Sequence, residues 1–421
     1  MAGRPRNSGH RPIPPGAGSF TPLLARGVFR IAHTTTRRLR RVALVALFAW
    51  ACEPASAPEP VRIGLLANFT GPLAGASGIP ARRGAALAVD EINDAGGVFV
   101  AGVARPVEIV EGDFEDRADA AAFRARELVN LDGVAALVGP FLSRHAIAVA
   151  AVADDAEVPM LSPMSSSHET TEGHAFAARL AFMDDFQGEA LARFARERLG
   201  AQTAAILYDE SSAYSRGLAD RFRAGFEARG GRVVVDERFT ADVADDFSSA
   251  MRRIARAAPD VLVLPQFSPV ADRQMVQARV AGVRAVFLGG DSWDLRSLAA
   301  VPEAEGAYVT HQWHTDLPRP ETRAFVERYQ ARYGELPRST APLTYDAVHL
   351  VAAAISRAGS LEGPRIMEAL LETRDYHGAT GTITFAGSPD PQRSAVVSRV
   401  VGGEVEMVAV LDPEPRPDGA P

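Results

Sequence analysis

The stretch that most constrains this chain is Val134–Ser167, which contains one arrangement twice in succession. In each copy a short apolar run, first Val134–Val138 and then Val158–Leu161, ends at a turn and is followed at once by hydroxyl side chains. Such runs are typical of buried parallel strands, and the Gly-Pro and Ser-Pro pairs end them. Ser143 then stands where a helix begins, and a helix start combines unpaired N–H groups, a positive dipole end and a hydroxyl. Two such starts side by side suit one small anion such as a carboxylate. On these residues alone, however, Ser143 and the serine of the second unit could equally be ordinary helix caps.

Strands and helices are predicted to alternate along most of the chain. A first series runs from the strand Val61–Ala67 to the helix Glu189–Leu199, and a second runs from the strand Ala204–Tyr208 to the strand Val286–Leu288. This alternation predicts α/β sheets with helices on both faces. Two further strand signals, within Ala395–Leu411, are too few to form a domain. The sequence therefore predicts two lobes, with the chain crossing between them more than once.

The charge distribution separates the N-terminus from the rest of the chain. Residues 1–51 contain nine Arg and no Asp or Glu, so removing these nine positive charges from the net charge of −7 leaves −16 for the remainder. An acidic body of this kind argues against nucleic acid as a partner and does not favour an anionic membrane surface.

The N-terminus has the features of an export signal. Four Arg between positions 37 and 41 precede the apolar run Val42–Trp50, which is too short to span a bilayer, and small residues follow. Cys52, the only cysteine, comes directly after Ala49-Trp50-Ala51, which resembles a bacterial lipobox, in which the cysteine is lipidated. We therefore expect residues 1–51 to be a leader and residues 52–60 a lipid-anchored tether on a periplasmic protein, with cleavage after Ala55-Ser56-Ala57 as the alternative.

The sequence contains no signature of nucleotide binding or of common hydrolases. The small-residue loop Thr70–Gly78 lacks the Lys of a phosphate-binding loop and the glycine spacing of a dinucleotide site, and neither a G-x-S-x-G nor an H-E-x-x-H motif occurs. His311, Trp313 and His314 fit a strand near a lobe junction better than a metal site. No catalytic constellation can be assembled, so we expect no enzyme, no cofactor and no metal.

Seven stretches, taken together in their order and spacing, resemble the periplasmic binding proteins of the leucine/isoleucine/valine type, the receptors of branched-chain amino acid ABC transporters. They are Val61–Gly97, Val138–Ala146, Val158–Ser166, Ala205–Leu218, Asp245–Ile254, Phe287–Trp293 and Thr344–Val348. The resemblance implies a type I periplasmic binding protein, with two Rossmann-like α/β lobes joined by three crossovers and a ligand cleft between them. It implies a first lobe at 61–181 and 310–385, a second lobe at 182–309 and 386–411, and a disordered tail at 412–421.

The resemblance also implies a ligand site shared by the two lobes. Ser143 corresponds to the serine that binds the ligand α-carboxylate, Ser166 to a second hydroxyl residue with the same role, and Met164 to a backbone contact beside it. From the second lobe, Tyr214 corresponds to an aromatic residue laid on the ligand and Asp291 to the acid that pairs with the α-ammonium. With two further positions, the predicted ligand-binding residues are Ser143, Met164, Ser165, Ser166, Tyr214, Phe267 and Asp291.

Two places in the sequence depart from the family's pattern, and Arg179 matches it. Phe267 and Ser268 stand where relatives line the pocket with a pair of tyrosines, and Gly75-Ala76-Ser77 stands where a Trp would contact an aliphatic ligand side chain. Arg179 matches an Arg in an R-x-x-x-x-D pattern with Asp184 and is expected to form an ion pair on the hinge side.

The function implied is that of a monomeric extracytoplasmic receptor, which closes on an amino acid or a related small polar ligand and works with an ABC permease of the inner membrane. A ligand sensor of the same fold, binding an amide or urea and coupled to signalling, is the alternative. An α/β enzyme is a third hypothesis, for which no residue set nominates a reaction.

Overall fold

The computed structural model describes residues 58–240 and 245–413. The predicted leader at 1–51, Cys52 with most of the tether, and tail residues 414–421 lie outside the described residues. Within the described part, no helix is long and apolar enough to cross a membrane.

The first part of the chain builds one lobe from alternating strands and helices. Its elements are β1 (Val61–Ala67), α1 (Ile79–Asp94), β2 (Val98–Val100), β3 (Val103–Arg105), β4 (Val107–Asp113), α2 (Ala118–Asn130), β5 (Ala136–Val138), α3 (Ser143–Ala156), β6 (Met160–Ser162) and β7 (Ala177–Arg179). Five of these strands form a parallel sheet in the order β4-β1-β5-β6-β7, whereas β2 and β3 pair with each other as a hairpin. Both faces of the sheet carry helices, which is why β1 reads as an almost continuous apolar run.

The second part repeats the same plan. Its elements are α4 (Asp184–Glu197), β8 (Thr203–Asp209), α5 (Ala213–Ala228), β9 (Arg232–Phe239), α6 (Ser248–Ala257), β10 (Val261–Val263), α7 (Val270–Val280), β11 (Val286–Gly289), α8 (Leu295–Ala299) and β12 (Tyr308–His311). These strands run parallel in the order β9-β8-β10-β11-β12, which is the strand order of the first sheet repeated. In this doubly wound arrangement, ligands bind beyond the carboxyl ends of the strands.

The last part of the chain returns to both lobes. Its elements are α9 (Pro320–Tyr333), α10 (Thr340–Ala358), α11 (Gly363–Leu371), β13 (Tyr376–Gly378), β14 (Gly381–Ile383), β15 (Ala395–Val401) and β16 (Glu404–Leu411). The three helices complete the apolar core on one face of the first sheet. The last two strands add to the second sheet, where β15 pairs antiparallel with β12 and β16 closes the edge.

The chain consequently crosses between the two sheets three times, in the segments 180–183, 312–319 and 384–394. Thr310 and His311 still pair with β15, so the second sheet extends two residues past the predicted limit at 309. The limits at 181 and 385 fall inside connecting segments. Backbone pairing assigns strands to sheets but does not divide connecting segments, so these limits stay predictions.

Helices α1 and α10 approach so closely that only glycine fits at one contact. A Cβ placed on Gly84 would overlap the backbone carbonyl of Ala341. Gly84→Ala should therefore lower the free energy of unfolding by about 1–3 kcal/mol through overpacking, in spite of the better helix propensity of Ala. Urea denaturation measures the difference. Gly75→Ala is the matched control, because nothing lies within 4 Å of its added methyl group; equal effects at both positions would contradict the close approach.

Candidate ligand-binding site

A cavity of about 900 Å³ lies where the carboxyl ends of the two sheets face each other. Its lining comes mainly from the segments that follow strands of both sheets, including Ser143 after β5, Met164 after β6, Phe267 after β10 and Asp291 after β11. Tyr214, in the first turn of α5, completes the group. Five of the seven predicted site residues are thus brought together on one cavity, and they come from both lobes.

The two strand-turn units singled out in the sequence are joined by a hydroxyl. Ser162, the last residue of β6, donates to the carbonyl oxygen of Pro140 at 2.6 Å and accepts from the backbone N–H of Ser165 at 3.2 Å. This bridge holds the two loops side by side, so the start of α3 and the loop after β6 face the cavity together.

Ser143 is oriented as a hydrogen-bond donor towards the cavity. Its Oγ accepts from the Ser165 hydroxyl at 3.0 Å and from the backbone N–H of Ser167 at 3.4 Å. Ser165 Oγ in turn lies 2.6 Å from the Thr170 hydroxyl. Because a serine oxygen has two lone pairs and one proton, these contacts leave the O–H of Ser143 free to donate. The N-terminus of α3 adds its positive dipole end at the same place.

Two predicted residues lie behind this wall and not on it. Ser165 and Ser166 are 1% and 2% exposed, and neither is among the residues that line the cavity. Ser165 instead supports Ser143, while the carbonyl of Ser166 accepts the backbone N–H of Asp184 at 2.9 Å. The Ser166 hydroxyl therefore does not face the cavity, where a contact with a ligand was predicted for it.

Asp291 is the acidic group that the second lobe presents to the cavity. It is half-buried, and its Oδ2 accepts from the side-chain amide of Gln312 at 2.8 Å. Burial raises the pKa of Asp291 above its ordinary value, and the donating amide of Gln312 opposes that rise. Gln187 and Tyr214 face the same carboxyl group.

A second buried acid, Asp184, stands at the start of α4. It is 2% exposed, and the hydroxyl of Ser166 faces its carboxyl group. Burial raises the pKa of Asp184 well above its ordinary value, and the negative charge of Asp291 adds to the effect. The second lobe therefore holds two neighbouring carboxyl groups with no cation paired to either of them within the described chain.

Aromatic rings form part of the same wall. The rings of Tyr214 and Phe267 lie 5.2 Å apart at 43°, and the buried Tyr214 hydroxyl faces Asp291 and Ser292. Burial raises the pKa of Tyr214 well above its ordinary value, so the phenol stays protonated. A Cβ on Gly290 would overlap the Tyr214 hydroxyl, so glycine here is what lets the ring lie beside Asp291.

Residues around the cavity also join the lobes to each other. The guanidinium of Arg144 lies 5.8 Å from the centre of the Phe267 ring, and Arg216 pairs with Glu169 at 3.5 Å. Arg338, which precedes α10, forms an ion pair with Asp294, the residue that caps α8. These contacts connect the first lobe to the second, so the structure represents a state in which the lobes touch around the cavity.

Arg179 forms an ion pair on the hinge side, but its partner is not Asp184. Its Nε donates to Asp390 of the third crossing at 2.5 Å, and its other nitrogens donate to the carbonyls of Ser165 and Ser167 and to the Thr171 hydroxyl. Arg179 is fully buried and does not line the cavity. It therefore braces the loop that supports Ser143.

Sequence reasoning missed several cavity residues at the end of β12 and just after it. His311, Trp313 and His314 line the cavity, and Trp313 donates its ring N–H to the carbonyl of Ala379 at 3.1 Å. Burial lowers the pKa of His311 to about 3, so its ring is neutral at pH 7. No cluster of metal-ligating side chains occurs within residues 58–240 and 245–413. Ala76 and Ser77, which stand where the family resemblance places a Trp, also line the cavity.

Asp184 gives a prediction for the pH dependence of stability. Its pKa is raised in the folded state above the unfolded value of about 3.9, so the folded state loses stability as pH rises from about 4 through the folded pKa. Asp184→Asn removes this loss. The variant should therefore gain stability relative to the wild type as pH rises, as measured by urea denaturation between pH 4 and 8. Asp185→Asn, a more exposed neighbour, is the control, and a pH-independent difference for Asp184→Asn would refute the assignment.

Comparison with known proteins agrees with this geometry. Residues 60–404 match the family model described as periplasmic binding protein. The Leu/Ile/Val-binding protein BraC3 of Rhizobium johnstonii is 30% identical over 78% of this chain and 88% of its own length. A leucine-, isoleucine-, valine-, threonine- and alanine-binding protein of Pseudomonas aeruginosa is 27% identical over 83% of this chain and 92% of its own length.

Solved structures show the same two-lobed fold. The leucine-binding protein LivK of Thermotoga maritima superposes with a TM-score of 0.78 at 31% identity, covering 84% of this chain and 99% of its own. The transporter substrate-binding protein LivJ of Streptococcus pneumoniae, solved with isoleucine, gives a TM-score of 0.76 at 32% identity, covering 84% of this chain and 100% of its own. Members of this family are solute-binding receptors that act outside the cytoplasm and are not enzymes. With its repeated parallel sheets, its cavity between two lobes and its match over residues 60–404, this chain belongs to the periplasmic binding protein family.

Proposed function

We propose that this receptor binds a free α-amino acid with an apolar side chain and delivers it to an ABC permease. The observation that carries the proposal is that a free hydroxyl donor, Ser143, and a carboxylate, Asp291, line one cavity from opposite lobes. An amino acid zwitterion brings a negative and a positive group, and these two residues match them in type and number.

Desolvation dominates the energetics of binding a zwitterion in this cavity. Each charge of a zwitterion that enters a closed cavity must meet a partner, or the cost of removing it from water prevents binding. The hydroxyl of Ser143 and the N-terminus of α3 receive the carboxylate. The ammonium group pairs with Asp291, and its charge also offsets the repulsion between Asp291 and Asp184. Since these groups belong to different lobes, both ends of the ligand are satisfied only when the lobes are together, so the ligand favours closure.

The remaining lining supports an apolar ligand side chain. Leu73, Ala76, Phe141 and Ile147 line the cavity from the first lobe. The relatives named above carry in their names or as ligands leucine, isoleucine, valine and alanine, whose side chains are apolar, and one is also named for threonine. With Ala76 and Ser77 where a bulky ring would narrow the cavity, larger apolar side chains than leucine are also accommodated. These relatives do not favour the sensor alternative.

Isothermal titration calorimetry of the exported chain tests the proposal. Among L-leucine, L-isoleucine, L-valine, L-alanine and L-threonine, at least one should bind. Leucinamide, which lacks the carboxylate, and 2-hydroxy-4-methylpentanoate, which lacks the ammonium, should bind more weakly than L-leucine. Asp291→Ala should weaken binding by about two to four decades, because an unpaired buried ammonium costs about 3–5 kcal/mol.

The control for Asp291→Ala is Asp185→Ala, an acid outside the cavity lining whose carboxylate pairs with Arg221. This control should leave affinity unchanged. Equal binding of L-leucine and 2-hydroxy-4-methylpentanoate, or an unchanged dissociation constant for Asp291→Ala, would refute the pairing of Asp291 with an ammonium group.

We further propose that the mature receptor is a monomer held at the membrane through lipid on Cys52. The support is the lipobox-like sequence before Cys52 and the Pro- and Ala-rich segment that follows it. After expression in a bacterial host and Triton X-114 phase separation, the chain should enter the detergent phase. The Cys52→Ser variant should instead enter the aqueous phase. If the wild-type protein were also recovered in the aqueous phase, cleavage at Ala55-Ser56-Ala57 would be favoured over lipidation.

A further inference from the structure

Gln312 occupies a place where the ligand site meets the connections between the lobes. It is the first residue after β12, in the second crossing, and it is 1% exposed. Neither the sequence pattern nor the family resemblance singles it out. Its side chain and its backbone carbonyl make three hydrogen bonds, each to a different segment of the chain.

The orientation of its side-chain amide is determined by its partners. Gln312 Oε1 accepts from the backbone N–H of Phe182 in the first crossing at 3.2 Å. A backbone N–H can only donate, so the oxygen must face Phe182 and Nε2 must face the other way. Nε2 therefore donates to Oδ2 of Asp291 at 2.8 Å. Asp291 itself lines the cavity, so the amide holds a carboxyl group that a ligand can reach.

The backbone of Gln312 is tied to the third crossing. Its carbonyl accepts from Nη2 of Arg393 at 2.9 Å. The same guanidinium donates to the carbonyl of Leu180, in the first crossing, at 2.9 Å. All three crossings thus meet around Gln312, and its side chain extends from this junction to Asp291.

We propose that Gln312 is a positioning residue, which holds the Asp291 carboxylate ionised and aimed at the ligand ammonium and ties its orientation to the geometry of the lobe crossings. This proposal rests on the proposed function, since it takes Asp291 as the partner of an ammonium group. A change in the angle between the lobes must bend the crossings, and it therefore moves the amide that holds the carboxylate.

The surroundings of Asp291 make the role of this amide measurable. Asp184 on α4 contributes a like charge, Tyr214 on α5 contributes a neutral phenol, and Arg393 in the third crossing contributes a more distant positive charge. Without the Gln312 donor, the ionised form of Asp291 loses one of the donors that face it but keeps its burial and the neighbouring Asp184 carboxyl group. Asp291 should then take up a proton at a higher pH than in the wild type.

The experiment compares Gln312→Met with the wild type in calorimetric titrations of L-leucine between pH 5 and 8.5. At pH 8 the variant should bind about ten- to hundredfold more weakly, the loss expected for a hydrogen bond to a charged group. As the pH is lowered, the variant should also lose affinity for L-leucine at a higher pH than the wild type does. Gln274→Met, which alters a buried glutamine of α7 outside the cavity lining, should show neither effect.

A ligand-free measurement separates this proposal from the proposed function. Gln312→Met should lower the melting temperature more at pH 8 than at pH 5, and this pH dependence should vanish in an Asp291→Asn background. If the wild type binds none of the five amino acids, the ligand assignment fails while this thermal comparison still tests the role of Gln312. Unchanged pH profiles in both measurements would overturn the proposal. Gln312→Leu, which also removes the donor and adds no charge beside Asp291, replaces the Met variant if that protein does not fold.

Discussion

The arrangement of the two lobes depends on one buried guanidinium. Arg393 is 5% exposed and donates to the carbonyls of Leu180, Gln312 and Thr380. The first two carbonyls belong to separate crossings, and Arg393 itself belongs to the third. Burial lowers the pKa of Arg393 to about 10, which leaves it charged at pH 7. A charged donor held by carbonyls and not by a direct carboxylate keeps three segments together without a rigid ion pair, which suits a junction that must bend.

The ligand site has hydrogen-bond donors on one lobe and negative charge on the other. The first lobe contributes a hydroxyl whose acceptor capacity is already used, together with a helix N-terminus, and the second lobe contributes Asp291 with Asp184 behind it. An empty cavity therefore leaves donors on one side and an excess of negative charge on the other. Both conditions cost free energy when the site is dry, and both are relieved by the same dipolar molecule. The proposed preference for a zwitterion thus rests on two local imbalances in different lobes.

Much of this could be predicted from the sequence because the strongest signals are local. Apolar runs such as Val134–Val138 contain buried strands, here Ala136–Val138, and hydroxyl residues that follow them lie near the carboxyl edge of a parallel sheet. The position of Ser143 follows from that rule. The resemblance to a known family added Tyr214 and Asp291, which no local pattern identifies.

What could not be predicted depends on contacts between distant segments. Strand β7 is only Ala-Ala-Arg and carries no apolar run, and the partner of Arg179 lies 211 residues away at Asp390. Ser166 shares the hydroxyl chemistry of Ser143, yet backbone geometry after β6 turns it behind the cavity wall. Gln312 is an unremarkable amide in sequence, and only the meeting of the crossings shows where its two ends point.

The close contact between α1 and α10 has a consequence for biogenesis. The first lobe begins at residue 61, but the helix that covers one face of its sheet ends at Ala358, after the entire parallel part of the second sheet has been synthesised. An N-terminal segment that emerges during synthesis cannot complete this apolar core, whatever its local strand and helix propensities. The interleaved order of the lobes therefore delays completion of the first lobe's core until most of the polypeptide exists.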